Sequence, residues 1–130
     1  ATHTVLLRSD GRAVASGSNS HGQCNIPPVE AYVQVSAGAN HTVLLTIDGR
    51  AVACGLNSDD QCNIPDLKEG MSYTQVSAGG DHTVLLRSDG SAIACGNNLF
   101  GQVDIPQLEQ GICYTQVSAG MTHTVLLRSD

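Results

Sequence analysis

The sequence predicts an all-β protein built from β-propeller blades of four short antiparallel strands, in the form of an incomplete propeller segment. Three observations carry this. The tetrapeptide His-Thr-Val-Leu occurs at His3, His41, His82 and His123, with spacings of 38, 41 and 41, and a fixed period near 40 residues marks a repeated supersecondary unit. An Asp-Gly pair follows each of the first three copies, at Asp10-Gly11, Asp48-Gly49 and Asp89-Gly90. No segment carries a helical period, while glycine and β-branched residues are spread throughout.

Each unit opens with an alternating segment ending in Val-Ser-Ala-Gly, as in Tyr73 to Gly79, and this period of two reads as a first strand. The second strand, His-Thr-Val-Leu-Leu, has no polar alternation after its threonine, which fits a sheet covered on both faces by stacked neighbours. Asp-Gly supplies the positive φ that a hairpin tip needs. Third strands follow at Arg12 to Gly17, Arg50 to Gly55 and Ser91 to Gly96. A Gly-x-Asn step then leads into Gln23 to Pro27, Gln61 to Pro65 and Gln102 to Pro106. Proline cannot donate to a ladder, so these segments are expected to be short fourth strands ending at a sheet edge.

The chain is therefore expected to be a single repeat array, 1-130, with units 3-40, 41-81 and 82-122 and a partial unit 123-130. Two whole blades do not close a ring of four to eight, and Asp130 stands where a hairpin turn begins. The expectation is a part of a longer ring, with closure by copies of the chain, or capping of an open stack by another protein, as the alternatives.

Composition narrows the function. Of 130 residues, 41% are hydrophobic and 14% charged, as in ordered protein. Phe100, Tyr32, Tyr73 and Tyr114 are the aromatics, so small aliphatic side chains must fill closely spaced sheets. A net charge of −6 with Lys68 as the single lysine disfavours direct contact with nucleic acid or anionic membrane. No apolar run is long enough for a transmembrane helix. The opening residues Ala1 to Leu7 do not form a signal peptide, and an intracellular setting is favoured, with an organelle as the alternative. Five cysteines, an odd number, suggest reduced thiols rather than a disulfide framework.

Gly79-Gly80-Asp81-His82-Thr83 and Gly96-Asn97-Asn98-Leu99-Phe100-Gly101-Gln102, with the Asp-Gly turn between them, closely resemble the repeat of the regulator of chromosome condensation family. The Cys-Asn-Ile-Pro and Tyr-Thr-Gln-Val-Ser-Ala-Gly phrases are also similar to short-unit versions abundant in dinoflagellate algae. Some positions depart from the pattern: Asp60 replaces the glycine before Gln61, Ser16 stands where Cys54 and Cys95 do, and Val103 where Cys24 and Cys62 do. The first connection, Pro28-Val29-Glu30-Ala31-Tyr32, is three residues shorter than its equivalents.

Few residues suggest chemistry. His3, His41, His82 and His123 recur one per blade, which scatters them around a ring, and each is expected to hydrogen-bond the backbone of adjoining turns. His21 is a lone turn residue. Cys24, Cys54, Cys62 and Cys95 follow the repeat register without a zinc spacing, and Cys113 lies outside it, so core packing is expected for all. Asp10, Asp48 and Asp89 are turn residues and do not converge as paired carboxylates. Arg8, Arg87 and Arg128 precede the turns at equivalent positions, with Thr46 at the remaining one, and form a candidate protein-binding rim. Phosphate-loop and nucleophile-elbow motifs are absent from the sequence.

The expected function is a non-catalytic protein-interaction scaffold or structural subunit, without cofactor or metal, whose partners are other proteins, further repeats or copies of itself. The family resemblance implies an alternative, a guanine-nucleotide exchange factor holding a small GTPase on one propeller face, although the chain carries no insertion like a dedicated exchange wedge. The algal likeness implies another, a peripheral subunit of an organellar, photosynthetic complex.

Overall fold

The computed structural model describes residues 2–29 and 31–130; Ala1, and Glu30 of the short first connection, lie outside the described residues. Among the described residues ten strands form four antiparallel sheets. Sheet A pairs β1 (His3–Leu7) with β2 (Ala13–Gly17). Sheet B holds β3 (Tyr32–Ala37), β4 (His41–Thr46) and β5 (Ala51–Gly55), with β4 central. Sheet C repeats that order with β6 (Tyr73–Ala78), β7 (His82–Arg87) and β8 (Ala92–Gly96). Sheet D pairs β9 (Tyr114–Ala119) with β10 (Thr124–Arg128).

The hairpins form where Asp-Gly predicts them. In the tip after β7, the Gly90 N–H donates to the Arg87 carbonyl at 3.0 Å, and the Arg87 N–H reaches the Ser91 carbonyl at 2.8 Å. Gly90 has φ +83°, so the loop is a turn closed by one left-handed glycine, a geometry that matches the twist of the flanking strands. The Asp89 carboxylate accepts the Ser91 N–H at 2.9 Å and fixes the tip from within.

The expected fourth strands are the main correction. Residues 23–27, 61–65 and 102–106 are turns followed by chain without a ladder. The reason is that their donors are already used locally. Asn19 Oδ1 accepts the Cys24 N–H at 2.8 Å, Gln23 Oε1 accepts the His21 N–H at 2.9 Å, and the Asn25 and Ile26 N–H groups bond to the Gly22 and Cys24 carbonyls. Pro27 has no donor to offer. The whole-sheet units therefore have three strands. Asp60, in the place of a glycine, adopts φ +63°, and Asn63 Nδ2 donates to its carboxylate at 2.8 Å, which helps hold that left-handed turn.

The sheets stack face to face in chain order. Strand β4 is buried at every position, and β7 at all but Arg87, which accounts for their missing polar alternation. Val43 and Leu45 of sheet B form one cluster with Tyr73, Val76 and Leu85 of sheet C; Val84 and Leu86 of sheet C form the next with Tyr114 and Val117 of sheet D. Each fully buried Val or Leu contributes roughly 1.5–3 kcal/mol, more than a typical hydrogen bond, so these clusters supply most of the stacking energy.

The first strands of successive sheets run side by side, and small residues let them approach. A Cβ placed on Gly79 would lie 2.5 Å from the Gly120 carbonyl oxygen and 2.3 Å from His82 Cε1. Gly79→Ala is expected to destabilise the protein by roughly 1–3 kcal/mol through overpacking, read as a lower urea midpoint at unchanged slope.

Candidate functional site

A recurring polar constellation lies at the junctions between sheets. At each one a loop carbonyl, a threonine and a histidine form a chain. Thr42 Oγ1 donates to the Gln23 carbonyl at 2.7 Å, Thr83 Oγ1 to Gln61 at 2.7 Å, and Thr124 Oγ1 to Gln102 at 2.7 Å. The same hydroxyls meet His3 Nε2 at 2.8 Å, His41 Nε2 at 3.0 Å and His82 Nε2 at 3.0 Å. A hydroxyl has one proton. Since it is given to the carbonyl, the imidazole must donate, which assigns the Nε2–H tautomer to all three histidines.

The histidines thus bond to a threonine of the following sheet rather than to turn backbone, a correction to the sequence expectation. His41 and His82 are wholly buried and His3 nearly so. Burial pushes the His41 pKa down from 6.5 to about 4 and lowers those of His3 and His82, because desolvation penalises the imidazolium. Their Nδ1 atoms are buried without a protein partner, as are the Nε2 atoms of Gln23 and Gln61. At the third junction Gln102 Nε2 reaches Asn97 Oδ1 at 3.3 Å; Ser18 and Leu56 occupy that position in the other two units. His123, by contrast, is exposed.

A second bond straps the same loop. Tyr73 and Tyr114 donate their hydroxyls to the Pro65 and Pro106 carbonyls, both at 2.6 Å, and Tyr32 bonds Pro27 likewise. The segment from glutamine to proline is therefore fastened at both ends to the next sheet. Cys54 Sγ lies 3.6 Å from the Gln23 carbonyl, and Cys95 Sγ 3.7 Å from that of Gln61. Burial raises the Cys62 and Cys95 thiols to about 11, so at neutral pH they are protonated packing groups. All five cysteines are free.

Side chains between the first strands complete the junction. Gln34 Oε1 accepts the Val76 N–H at 2.6 Å and Ser36 Oγ that of Ala78 at 2.9 Å; Gln75 and Ser77 do the same for Val117 and Ala119 at 2.9 and 3.0 Å. Sequence reasoning missed Thr42, Thr83, the glutamine carbonyls and these Gln-x-Ser pairs. Their signal was present, because every one occupies a fixed repeat position.

Arg8, Arg87 and Arg128 stand at or just beyond the ends of β1, β7 and β10, with Thr46 at that position in sheet B. Arg8 pairs with Asp10 at 2.9 Å and Arg128 with Asp130 at 2.7 Å, all four side chains about half exposed. Arg87 instead donates from Nε to Ser91 Oγ at 2.8 Å. Asp48 is held below the usual carboxylate range chiefly by the Thr46 hydroxyl, with Arg50 assisting. Beside the Arg87 tip lies an open groove of about 480 Å³, lined by Ser91, Ile105, Pro106, Leu108 and Tyr114 among others. Among the described residues no group of three or more His, Cys, Asp or Glu side chains is placed to hold a metal ion.

Serially stacked, small antiparallel sheets, latched by identical bonds at each junction, define a class: the blades of a β-propeller. The model of the regulator of chromosome condensation (RCC1) repeat matches residues 1–23, 32–61 and 73–102. The chain belongs to that repeat family. No curated protein matches it. Among solved structures, yeast RCC1 (Prp20) bound to Kap60 is 20% identical over 96% of this chain and 39% of its own, with a TM-score of 0.78. Prp20p from Saccharomyces cerevisiae, described with its binding properties to Gsp1p and histones, is 20% identical over 96% and 41%, TM-score 0.81. Human WBSCR16 is 24% identical over 98% and 43%, TM-score 0.81. The chain thus spans about two-fifths of the length of these structures.

The likeness to RCC1 (Prp20) overturns the expectation that the chain is not an enzyme. That expectation rested on the absence of nucleophiles, acids and metal ligands. Nucleotide exchange, the activity that the family resemblance implies, makes and breaks no covalent bond and needs none of them. The algal short-unit resemblance and a place in an organellar complex find no support in these likenesses.

Two outcomes follow from the junction. Thr83→Val keeps the shape but leaves the His41 N–H unpaired and the Gln61 carbonyl without its best donor, and is expected to cost about 1–3 kcal/mol in chemical denaturation. Stability should also depend on pH through His41, whose folded pKa near 4 lies below its unfolded value of 6.5. Above 6.5 neither state is protonated and the full contribution is present. Between 6.5 and 4 the unfolded chain takes up a proton that the folded one refuses, removing in total about 3 kcal/mol for this residue. Urea midpoints should fall as the pH is lowered across that window; a flat profile would contradict a His41 imidazole kept neutral by burial.

Proposed function

We propose that the chain is part of a propeller that serves a small GTPase as a guanine-nucleotide exchange factor. The observation that carries the proposal is membership of the RCC1 repeat family, joined with a fold like that of Prp20p, a protein described with its binding to Gsp1p. In this reading the units 3-40, 41-81 and 82-122, with the part unit 123-130, are successive blades. A nuclear setting goes with it, since the same structure is described with histones.

The physics suits the task. An exchange factor accelerates nucleotide release by binding the nucleotide-free GTPase more tightly than the loaded form. Such discrimination needs a surface that does not yield, and junctions latched by His, Thr and Gln carbonyl groups provide a stiff frame. Arg8, Arg87 and Arg128 are the residues we assign to the contact rim. Their guanidinium groups are exposed or partly exposed at strand ends fixed by internal bonds, and a planar fork of donors suits carboxylates on a partner.

The test is release of fluorescent GDP from a panel of small GTPases. The protein is expected to accelerate release from one of them, and Arg87→Ala to reduce that acceleration about 5- to 10-fold with its folding unchanged, on the scale of one charge-assisted contact. Failure to bind or accelerate any GTPase would remove the proposal.

A further inference from the structure

We propose that the end of the sheets remote from Arg8, Arg87 and Arg128 carries a second docking surface, centred on Leu99 and Phe100, which binds a basic, amphipathic segment of a partner protein. The strands run between two ends. At one stand the Asp-Gly turns and the connections that lead into the next first strand. At the other stand the Gly-x-Asn loops and the turns from first to second strand, joined by bonds such as that from the Asn97 N–H to the Asp81 carbonyl at 2.9 Å.

The third Gly-x-Asn loop departs from the repeat in two ways that belong together. Leu99 and Phe100 stand where the other units have Ser20 and His21, or Ser58 and Asp59. They are 82% and 72% exposed. Stacking does not cover this position: Ser20, His21 and Ser58 are exposed and Asp59 is half-buried, although a whole three-stranded sheet follows each pair. Two large apolar side chains side by side on such a loop form a contact patch rather than scattered exposure. The second departure is Asn97, in place of Ser18 and Leu56. Its Oδ1 accepts the Leu99 N–H at 2.9 Å and Gln102 Nε2 at 3.3 Å, while Gln102 Oε1 accepts the Phe100 N–H at 2.9 Å. The loop that presents the apolar pair is thus the one with the extra acceptor, and a fixed loop loses little entropy on binding.

Charge defines the occupant. All 6 lysines and arginines of the chain, Arg8, Arg12, Arg50, Lys68, Arg87 and Arg128, lie at the Asp-Gly end or in a connection leading from it. The loop end has none, and carries Asp59, Asp60, Asp81 and Asp104. Asp81 adjoins the apolar loop through its bond to Asn97, and the Asp104 carboxylate accepts Asn98 Nδ2 at 3.0 Å. Carboxylates without basic neighbours around an apolar anchor repel nucleic acid and anionic lipid, and attract lysine and arginine. The matching partner is a segment that sets apolar side chains beside basic ones. Because the arginine rim lies at the other end, this contact is separate from the one assigned to a GTPase.

Fluorescence anisotropy with a labelled amphipathic peptide of leucine and lysine tests this. The protein is expected to bind it with an affinity that falls as salt is raised, and not to bind counterparts with glutamate for lysine or serine for leucine. The variants restore residues that other units carry, which preserves the fold. Leu99→Ser and Phe100→His, as at Ser58 and His21, should each weaken binding about tenfold. Asp81→Asn combined with Asp104→Asn, as at Asn40 and Asn63, should weaken it about fivefold and flatten the salt dependence. No binding, equal binding of the glutamate peptide, binding that survives Leu99→Ser combined with Phe100→His, or a preference for vesicles of anionic lipid would each overturn the proposal. The assay contains no GTPase, so its outcome stands apart from that of the exchange assay.

Discussion

At the bond from each threonine hydroxyl to a glutamine carbonyl, three parts of the chain meet: the end of one sheet's loop, the central strand of the next sheet, and the histidine of the sheet before it. Thr83 illustrates the dependence. Its proton goes to the Gln61 carbonyl and its lone pair receives the His41 N–H. Each partner fixes the role of the other two, because a hydroxyl with its single proton committed leaves the imidazole no choice of tautomer. Burial then keeps that imidazole neutral. The junction is polar where it must be specific and aliphatic everywhere else.

The loop from glutamine to proline shows what this constraint does to secondary structure. Local propensity allows an edge strand, but the loop's carbonyls are the acceptors that the next sheet needs, at Gln61 for Thr83 and at Pro65 for Tyr73. With its N–H groups used in asparagine and glutamine turns, the loop becomes a strap across the junction. A strap fastened at two points also explains how narrow sheets with few aromatic residues hold a fixed relative position.

Much of the structure was legible in the sequence. The repeat period, the Asp-Gly hairpins, the continuous burial of Val-Leu-Leu and the small-residue approach of the first strands are all local patterns or direct consequences of them. The histidines were legible as structural groups, though not their partners. Less legible was the site. Arg8, Arg87 and Arg128 share a register, but register places them at the ends of separate strands and says nothing of what they face. The absence of acid-base and nucleophilic motifs does not by itself exclude catalysis, since nucleotide exchange leaves no such signature.

By itself, then, the sequence determined where three strands of each unit and their Asp-Gly turns fall, which strand would be covered on both sides, and that each unit would repeat the last. Those properties depend on residues within a few positions of one another, through side-chain periodicity and the φ preference of glycine. Only the tertiary structure decided that His41 reaches Thr83, 42 residues away, and that a predicted strand would serve as a strap. Each of these depends on how neighbouring sheets stack, and a hydrogen bond or a buried face exists only once that stacking has brought its two halves together.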